Sequence, residues 1–276
     1  MASVVTSRGA RTYLDEGEGE AVVLLHGWPA GPSVFRRLVP LVASRFRVLV
    51  PDLSEDADLA DQAATVAELL DTLGVERVAL VGHSHGGGVA QLLAMDGRAE
   101  ALVLIDSVAF DSAPPDDLER RTFIERGTIE FASVPAVDLA VYLEAPSRPA
   151  PVLDPRLMDV AGALAERDIP VLMLWGEQDP FVGVDVAERL SDALPGSALG
   201  VVPDSGHFLL DDAFESVGVL IAEYLRARYL GAPHGHEGIV TLQLERRPPW
   251  VDLAPLEEDD DAVVPDPAAQ EVGPSR

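Results

Sequence analysis

Ser84 lies in Gly82-His83-Ser84-His85-Gly86, a G-x-S-x-G pattern set between two apolar runs. A serine hydroxyl is a useful nucleophile only when a base takes its proton and a sharp turn holds it clear of the chain. The flanks suit such a turn. Val78-Ala79-Leu80-Val81 reads as a short strand buried on both faces, and Val89-Ala90-Gln91-Leu92-Leu93 as the body of a helix. Side chains at Gly82 and Gly86 would collide with the neighbouring strand and helix, so a strand–turn–helix this tight demands glycine there. The turn aims the His85 amide and the helix N-terminus at the space above the hydroxyl, where an oxyanion would form. A glycine-rich turn around an inert serine shares the five-residue pattern. The strand before it and the helix after it favour the nucleophile.

Other groups able to do chemistry stand in comparable places. Asp179 falls in Gly176-Glu177-Gln178-Asp179-Pro180, His207 in Ser205-Gly206-His207-Phe208, Asp106 after Ala101–Ile105, and His26 in His26-Gly27-Trp28-Pro29. Each has a plainer reading. Asp179 suits a helix-capping acid, and His207 a satisfied loop histidine. His83 and His85 flank the serine at alternate positions, but a metal pair there lacks a third ligand, so no metal is expected. His234-Gly235-His236 reads as surface loop.

The elements that must position these groups follow in order. Ser3–Ser7 and Arg11–Leu14 suggest a hairpin about Gly9, and Ala21–Leu25 a central strand opening into the His26 loop. A helix is expected over Val34–Ser44, a strand over Phe46–Val50 and a helix over Ala57–Leu73 capped by Gly74. Strands are expected at Ala101–Ile105, Val171–Trp175 and Ala198–Val202, with helices at Val184–Leu194 and Ala213–Tyr229. Alternation of this kind means an α/β fold, with a mostly parallel, doubly wound sheet covered on both faces. Functional residues of such sheets lie at the C-terminal ends of strands. His26, Ser84, Asp106, Asp179 and His207 all follow predicted strands, and should therefore gather on one edge.

Between Ser107 and Asp168 the prolines multiply around short helical pieces (Asp117–Arg126, Val137–Leu143, Arg156–Arg167), which reads as a small inserted helical cap. Its Phe110, Phe123, Ile124, Phe131, Tyr142 and Met158 suit either an apolar pocket or the cap's own core. The organisation is thus 1–106, first part of the core; 107–168, cap; 169–230, second part of the core; and 231–276, a C-terminal extension. Within the extension, Ile239–Arg246 alternates like a stray strand. From about Pro255 the chain is acidic and proline-rich, as disordered tails are.

Composition narrows the partners. A formal charge of −27 argues against nucleic acid and anionic membrane, leaving a small-molecule substrate. There is no cysteine, hence no thiol catalysis or Cys-ligated metal. All 20 basic residues are arginine, which concerns coding bias more than function. The N-terminus lacks the charged start and apolar run of a signal peptide, and no apolar segment approaches the ~20 residues of a membrane span. A soluble cytoplasmic protein is expected.

With the His26-Gly27-Trp28-Pro29 loop, the Ser84 elbow, Gly176–Asp179 and Ser205–Phe208 in this order, the chain resembles the α/β-hydrolase superfamily over about residues 10 to 230. The resemblance implies Ser84 as nucleophile, His207 as general base and Asp179 as the acid that orients it, with no cofactor. Asp106 is the rival acid, because some members draw theirs from that strand. The oxyanion would rest on the amides of Trp28 and His85. Trp28, His26 and Phe208 are the candidate substrate-binding residues, although His26 in family members is mostly a brace for the oxyanion loop.

Epoxide hydrolases and haloalkane dehalogenases share the His26–Pro29 type of loop, but they use an aspartate nucleophile, and Ser84 argues against both. Serine members with this loop resemble esterases, lactonases, cofactor-free perhydrolases and C–C bond hydrolases. After Pro51-Asp52-Leu53 a longer Arg-Gly-x-Gly-x-Ser loop of most relatives is missing. That leaves the pocket either more open or walled by the cap. Three readings follow: a serine hydrolase of small or medium esters, thioesters or lactones; a tailoring enzyme catalysing elimination, cyclisation or C–C cleavage; and a silent ligand-binding protein that kept the fold.

Overall fold

Apolar runs of five or six residues bury both faces only as inner strands of a layered sheet, and that is where this chain puts them. A computed structural model describes residues 1–28, 30–53, 57–109, 154–194, 196–230 and 238–241. They fall in a unit spanning Met1–Arg246; the unit Arg247–Arg276 lies outside the described residues, as does the predicted acidic tail.

Strands β1 (Ala2–Thr6) and β2 (Gly9–Glu16) form the antiparallel hairpin, with Gly9 at φ +104°. β2 runs antiparallel to β4 (Arg47–Pro51). From β4 onward every neighbour is parallel: β3 (Ala21–Leu25), β5 (Val78–His83), β6 (Ala99–Ile105), β7 (Val171–Gly176), β8 (Ala198–Val202) and β9 (Gly238–Thr241). The nine-stranded order is β1-β2-β4-β3-β5-β6-β7-β8-β9. The stray strand of the extension therefore has a partner, since Ala198–Val201 pairs with Gly238–Thr241.

The helices are α1 (Leu38–Ala43), α2 (Leu59–Thr72), α3 (His85–Met95), α4 (Val160–Glu166), α5 (Val184–Ala193), α6 (Leu209–Asp212) and α7 (Phe214–Leu230). Alternate strand residues serve opposite layers. Val23, Leu25, Leu80, Leu102, Leu104 and Met173 join one core cluster with residues of α2, α3, α4 and α5, while Val22, Leu24, Val81, Val103 and Leu174 are equally buried outside it. On that other face α7 packs against β6 and α1, and α1 against β4. The sheet is doubly wound, as expected. None of the described helices is long and apolar enough to cross a membrane.

One predicted helix departs from expectation. Val34–Ser44 is not one helix but a 3-10 turn, Pro32–Phe35, followed by α1. Pro40 has no N–H and is tolerated only in a first turn, so the helix restarts at Leu38. The predicted cap lies largely outside the described residues, including its helices at Asp117–Arg126 and Val137–Leu143 and its apolar residues Phe110 to Tyr142. Its last part, from Asp154, packs on the core: Leu157, Val160 and Leu164 are fully buried in the main cluster, and α4 lies against α3. Met158, read as pocket or cap core, is 57% exposed.

Candidate active site

The turn between β5 and α3 places Ser84 at φ 54°, ψ −125°, a backbone conformation that costs an L-residue of order 1–3 kcal/mol. Its surroundings hold it there. The Ser84 N–H donates to the Ile105 carbonyl at 3.0 Å, extending the β5–β6 pairing one residue past the strand. A Cβ on Gly86 would stand 2.1 Å from the Leu25 carbonyl oxygen and 2.4 Å from that of His26. The end of β3 thus presses directly on the first turn of α3. A Cβ on Gly27 would stand 2.6 Å from Ser84 Cβ, so the bare backbone of the His26–Trp28 loop lies against the serine.

His207 reaches the same point from the loop after β8. Its Nε2 lies 3.0 Å from Ser84 Oγ and its Nδ1 2.7 Å from Asp179 Oδ2. Asp179 Oδ1 accepts from the Phe181 and Val182 amides at 2.8 and 3.0 Å, which fixes the carboxylate plane. The turn bearing Asp179 is tied to the histidine loop where the Gln178 N–H donates to the Ser205 carbonyl at 2.9 Å. Ser84 and His207 are each 4% exposed, and Asp179 is 9% exposed. Of the two rival acids, Asp179 meets the imidazole; Asp106 Oδ1 instead accepts from the Gly176 N–H at 2.8 Å. The arrangement can move a proton from the serine hydroxyl to an oriented imidazole in a dry setting.

Neutral rings surround His207. The His83 Nε2–H donates to the His207 carbonyl at 2.8 Å, and its ring lies 5.0 Å from that of His207. Burial first, then the neighbouring His207, pushes the His83 imidazole down to about 3. The same causes hold His85 down to about 4. Both are uncharged at neutral pH, and no group of three or more His, Asp or Glu among the described residues could hold a metal ion.

The remaining predicted residues are also placed. His26 Nε2 accepts from the Leu53 N–H at 3.0 Å, which leaves Nδ1–H to donate to the Gly27 carbonyl at 3.0 Å. Both ring nitrogens therefore serve backbone partners, and His26 braces its own loop against the chain after β4. Trp28 sits edge-on to His85 with centroids 6.3 Å apart, and both line a small opening with Ala30, Leu53 and Gln62. Phe208 lies edge-on to His207 at 5.5 Å. His234 and His236 lie outside the described residues.

Sequence reasoning overlooked His83 as a tether and Gln91 altogether. Gln91, fully buried in α3, donates to the Val108 carbonyl at 2.7 Å and to Ser107 Oγ at 3.1 Å, joining the elbow helix to the segment after β6. The signal was present: one amide in the otherwise apolar run Val89–Leu93.

The comparisons bear on the family and the fold. A family model described as "Alpha/beta hydrolase family" matches residues 22–218. The chain is 28% identical to haloalkane dehalogenase 2 of Mycobacterium bovis, over 79% of this chain and 92% of the dehalogenase. It is 29% identical to 2-hydroxy-6-oxononadienedioate/2-hydroxy-6-oxononatrienedioate hydrolase 2 of Pseudomonas putida, over 78% of this chain and 91% of that enzyme. The solved structure of a thermophilic esterase from Thermogutta terrifontis matches with a TM-score of 0.62 at 26% identity, covering 82% of this chain and 98% of the esterase.

Proposed function

The chain belongs to the alpha/beta hydrolase family, and from that premise we propose that it is a serine hydrolase of a small or medium ester, thioester or lactone. The observation that carries the reading is the hydrogen-bonded line from Ser84 Oγ through His207 to Asp179, at 3.0 and 2.7 Å. His207 Nε2 takes the hydroxyl proton as Ser84 Oγ bonds to the carbonyl carbon, while Asp179 holds Nδ1–H and stabilises the imidazolium. The amides of Trp28 and His85 receive the oxyanion, each such donor being worth about 3 kcal/mol of barrier. Collapse expels the alcohol or thiol with the proton from His207. Water, deprotonated by the same nitrogen, then releases the acid and restores Ser84.

Ser84 at the elbow sets the chain apart from a dehalogenase or epoxide hydrolase mechanism, whose nucleophile is aspartate. A second reading has the likeness to the Pseudomonas putida hydrolase in its favour: the same residues would cleave a carbon–carbon bond beside a carbonyl. The test is intact mass after treatment with a fluorophosphonate, for wild type and Ser84→Ala. One adduct on wild type and none on S84A is expected, followed by turnover in an ester and lactone panel. An unlabelled, folded wild type would sink both readings; a labelled enzyme inert toward every ester would favour the second.

A further inference from the structure

We propose that Asp106 is a positioning residue: its carboxyl carries the β6–β7 ladder one step past the strands and so fixes the turn that holds Asp179 against His207. The proposal rests on the serine-hydrolase reading above. Asp106 ends β6 at φ +45°, outside the regular strand conformation. Its N–H donates to the Leu174 carbonyl at 3.0 Å, which is an ordinary parallel contact with β7. The next contact is not ordinary. A continuing strand would offer a backbone carbonyl to Gly176, whereas here Asp106 Oδ1 accepts the Gly176 N–H at 2.8 Å. Gly176 opens the turn whose Asp179 N–H returns to the Gly176 carbonyl at 3.2 Å. A shift at Gly176 is therefore a shift at Asp179.

The carboxyl does this work uncharged. Asp106 is fully buried, and its Oδ2 has no partner at normal hydrogen-bond geometry among the described residues. The titratable groups facing it are Asp179, from the turn after β7, and Asp212, from α6, both acids. Burial and the Asp179 carboxylate hold the Asp106 carboxyl well above the usual carboxylate range, against the pull of the Gly176 and Leu209 amides. A buried anion with an acid on either side is a costly state, and protonation removes that cost. One oxygen, still an acceptor when the group is neutral, is all that Gly176 requires.

Asparagine keeps that oxygen and the neutrality, while alanine loses the oxygen. The experiment compares full-length wild type, Asp106→Asn and Asp106→Ala by the second-order rate of fluorophosphonate labelling at Ser84, by the infrared carbonyl band of a protonated carboxyl, and by urea midpoints at pH 5 and pH 8. D106N should label within about 3-fold of wild type and lack one protonated-carboxyl band. D106A should label about 10- to 100-fold more slowly, the usual penalty of a misplaced catalytic group.

The urea data carry a sign. Unfolded wild type loses the Asp106 proton above about its ordinary value of 3.8, while the folded chain keeps it. The Asp106 contribution to wild-type stability therefore falls as pH rises, and D106N, which lacks that contribution but shares all others, should gain on wild type from pH 5 to pH 8. D106N as slow as D106A, with no band lost, would overturn the proposal; so would a fully active D106A. Should D106A fail to fold, Asp106→Ser, too short to reach Gly176, takes its place with the same expectation. An unlabelled wild type would defeat the serine reading instead, leaving band and midpoints to report on Asp106.

Discussion

Ser84 and His207 meet at 3.0 Å, yet they are held there by opposite means. The serine is placed by missing side chains: Gly27, Gly82 and Gly86 let three segments of backbone touch, and any added Cβ would stand within 2.6 Å of a neighbour. The imidazole is placed by hydrogen bonds, its Nδ1–H donating to Asp179 and the His207 carbonyl accepting from His83. Steric placement is stiff and does not respond to charge or pH. Hydrogen-bonded placement can be weakened one contact at a time and responds to protonation. Substitutions on the two sides should therefore fail in different ways.

The sharpest break comes on the steric side. Gly86→Ala puts a methyl 2.1 Å from the Leu25 carbonyl, where only backbone can yield. Overpacking of well-ordered backbone costs several kcal/mol, so about 3 kcal/mol or more of stability should go, and Ser84 labelling with it. Urea midpoint and adduct mass report both losses together. On the other side Asp179→Asn should stay folded and lose rate alone. Asparagine cannot hold the Nδ1–H tautomer that leaves Nε2 free to take the serine proton, so labelling should slow about 10³- to 10⁴-fold with little change in urea midpoint. If D179N unfolds the protein, or G86A leaves a stable and inactive one, the contrast between the two sides fails.

His83→Phe probes the hydrogen-bonded side more gently. The tilted ring contact with His207 survives, but the N–H to the His207 carbonyl goes, which is worth about 1 kcal/mol, or about fivefold in labelling rate. A pH effect accompanies it. In the unfolded chain a histidine gains its proton near 6.5, whereas folded His83 and His85 wait until about 3 and about 4. The unfolded state then binds more protons, so the contribution of these two histidines to stability is full above about 6.5 and falls as pH drops toward 4, by about 2 kcal/mol per histidine at pH 5. Urea midpoints between pH 7.5 and pH 5 should fall less steeply in H83F. Equal slopes would mean that His83 is charged in the folded protein.

What could be read in the chain follows the same division. Tight backbone contact demands glycine at a fixed distance from the functional residue, and so Gly82, Gly86 and Gly27 mark the elbow and its loop locally. Strands buried on both faces announce themselves as unbroken apolar runs, which is why β3 to β8 were legible. The hydrogen-bonded partners leave no local mark. His83 serves a carbonyl 124 positions away, and Asp106 an amide 70 positions away, so the sequence offered His83 only as half of a metal pair and Asp106 only as the rival acid. β9 was legible as alternation, but its partner was not, because pairing with β8 crosses α7. The break before α1 was visible at Pro40, which fits only the first turn of a helix and so requires one to begin just before it.

The smallest effect is expected where hydrogen bonding reaches the surface. Arg36, in the segment after the His26–Trp28 loop, donates from Nη2 to Asp211 Oδ1 at 2.5 Å and so straps that segment to α6, three residues past Phe208. The strap joins the steric side to the hydrogen-bonded side, but its partners are 29% and 23% exposed. Water and salt screen such pairs to about 0.5 kcal/mol. A cycle of Arg36→Ala, Asp211→Ala and the double variant should give a coupling of that size in stability, fading with added salt, and less than about threefold in labelling rate. A coupling above about 2 kcal/mol that persists in salt would show the two sides locked together as one unit, and the division between sterically placed serine and hydrogen-bonded imidazole would lose its meaning.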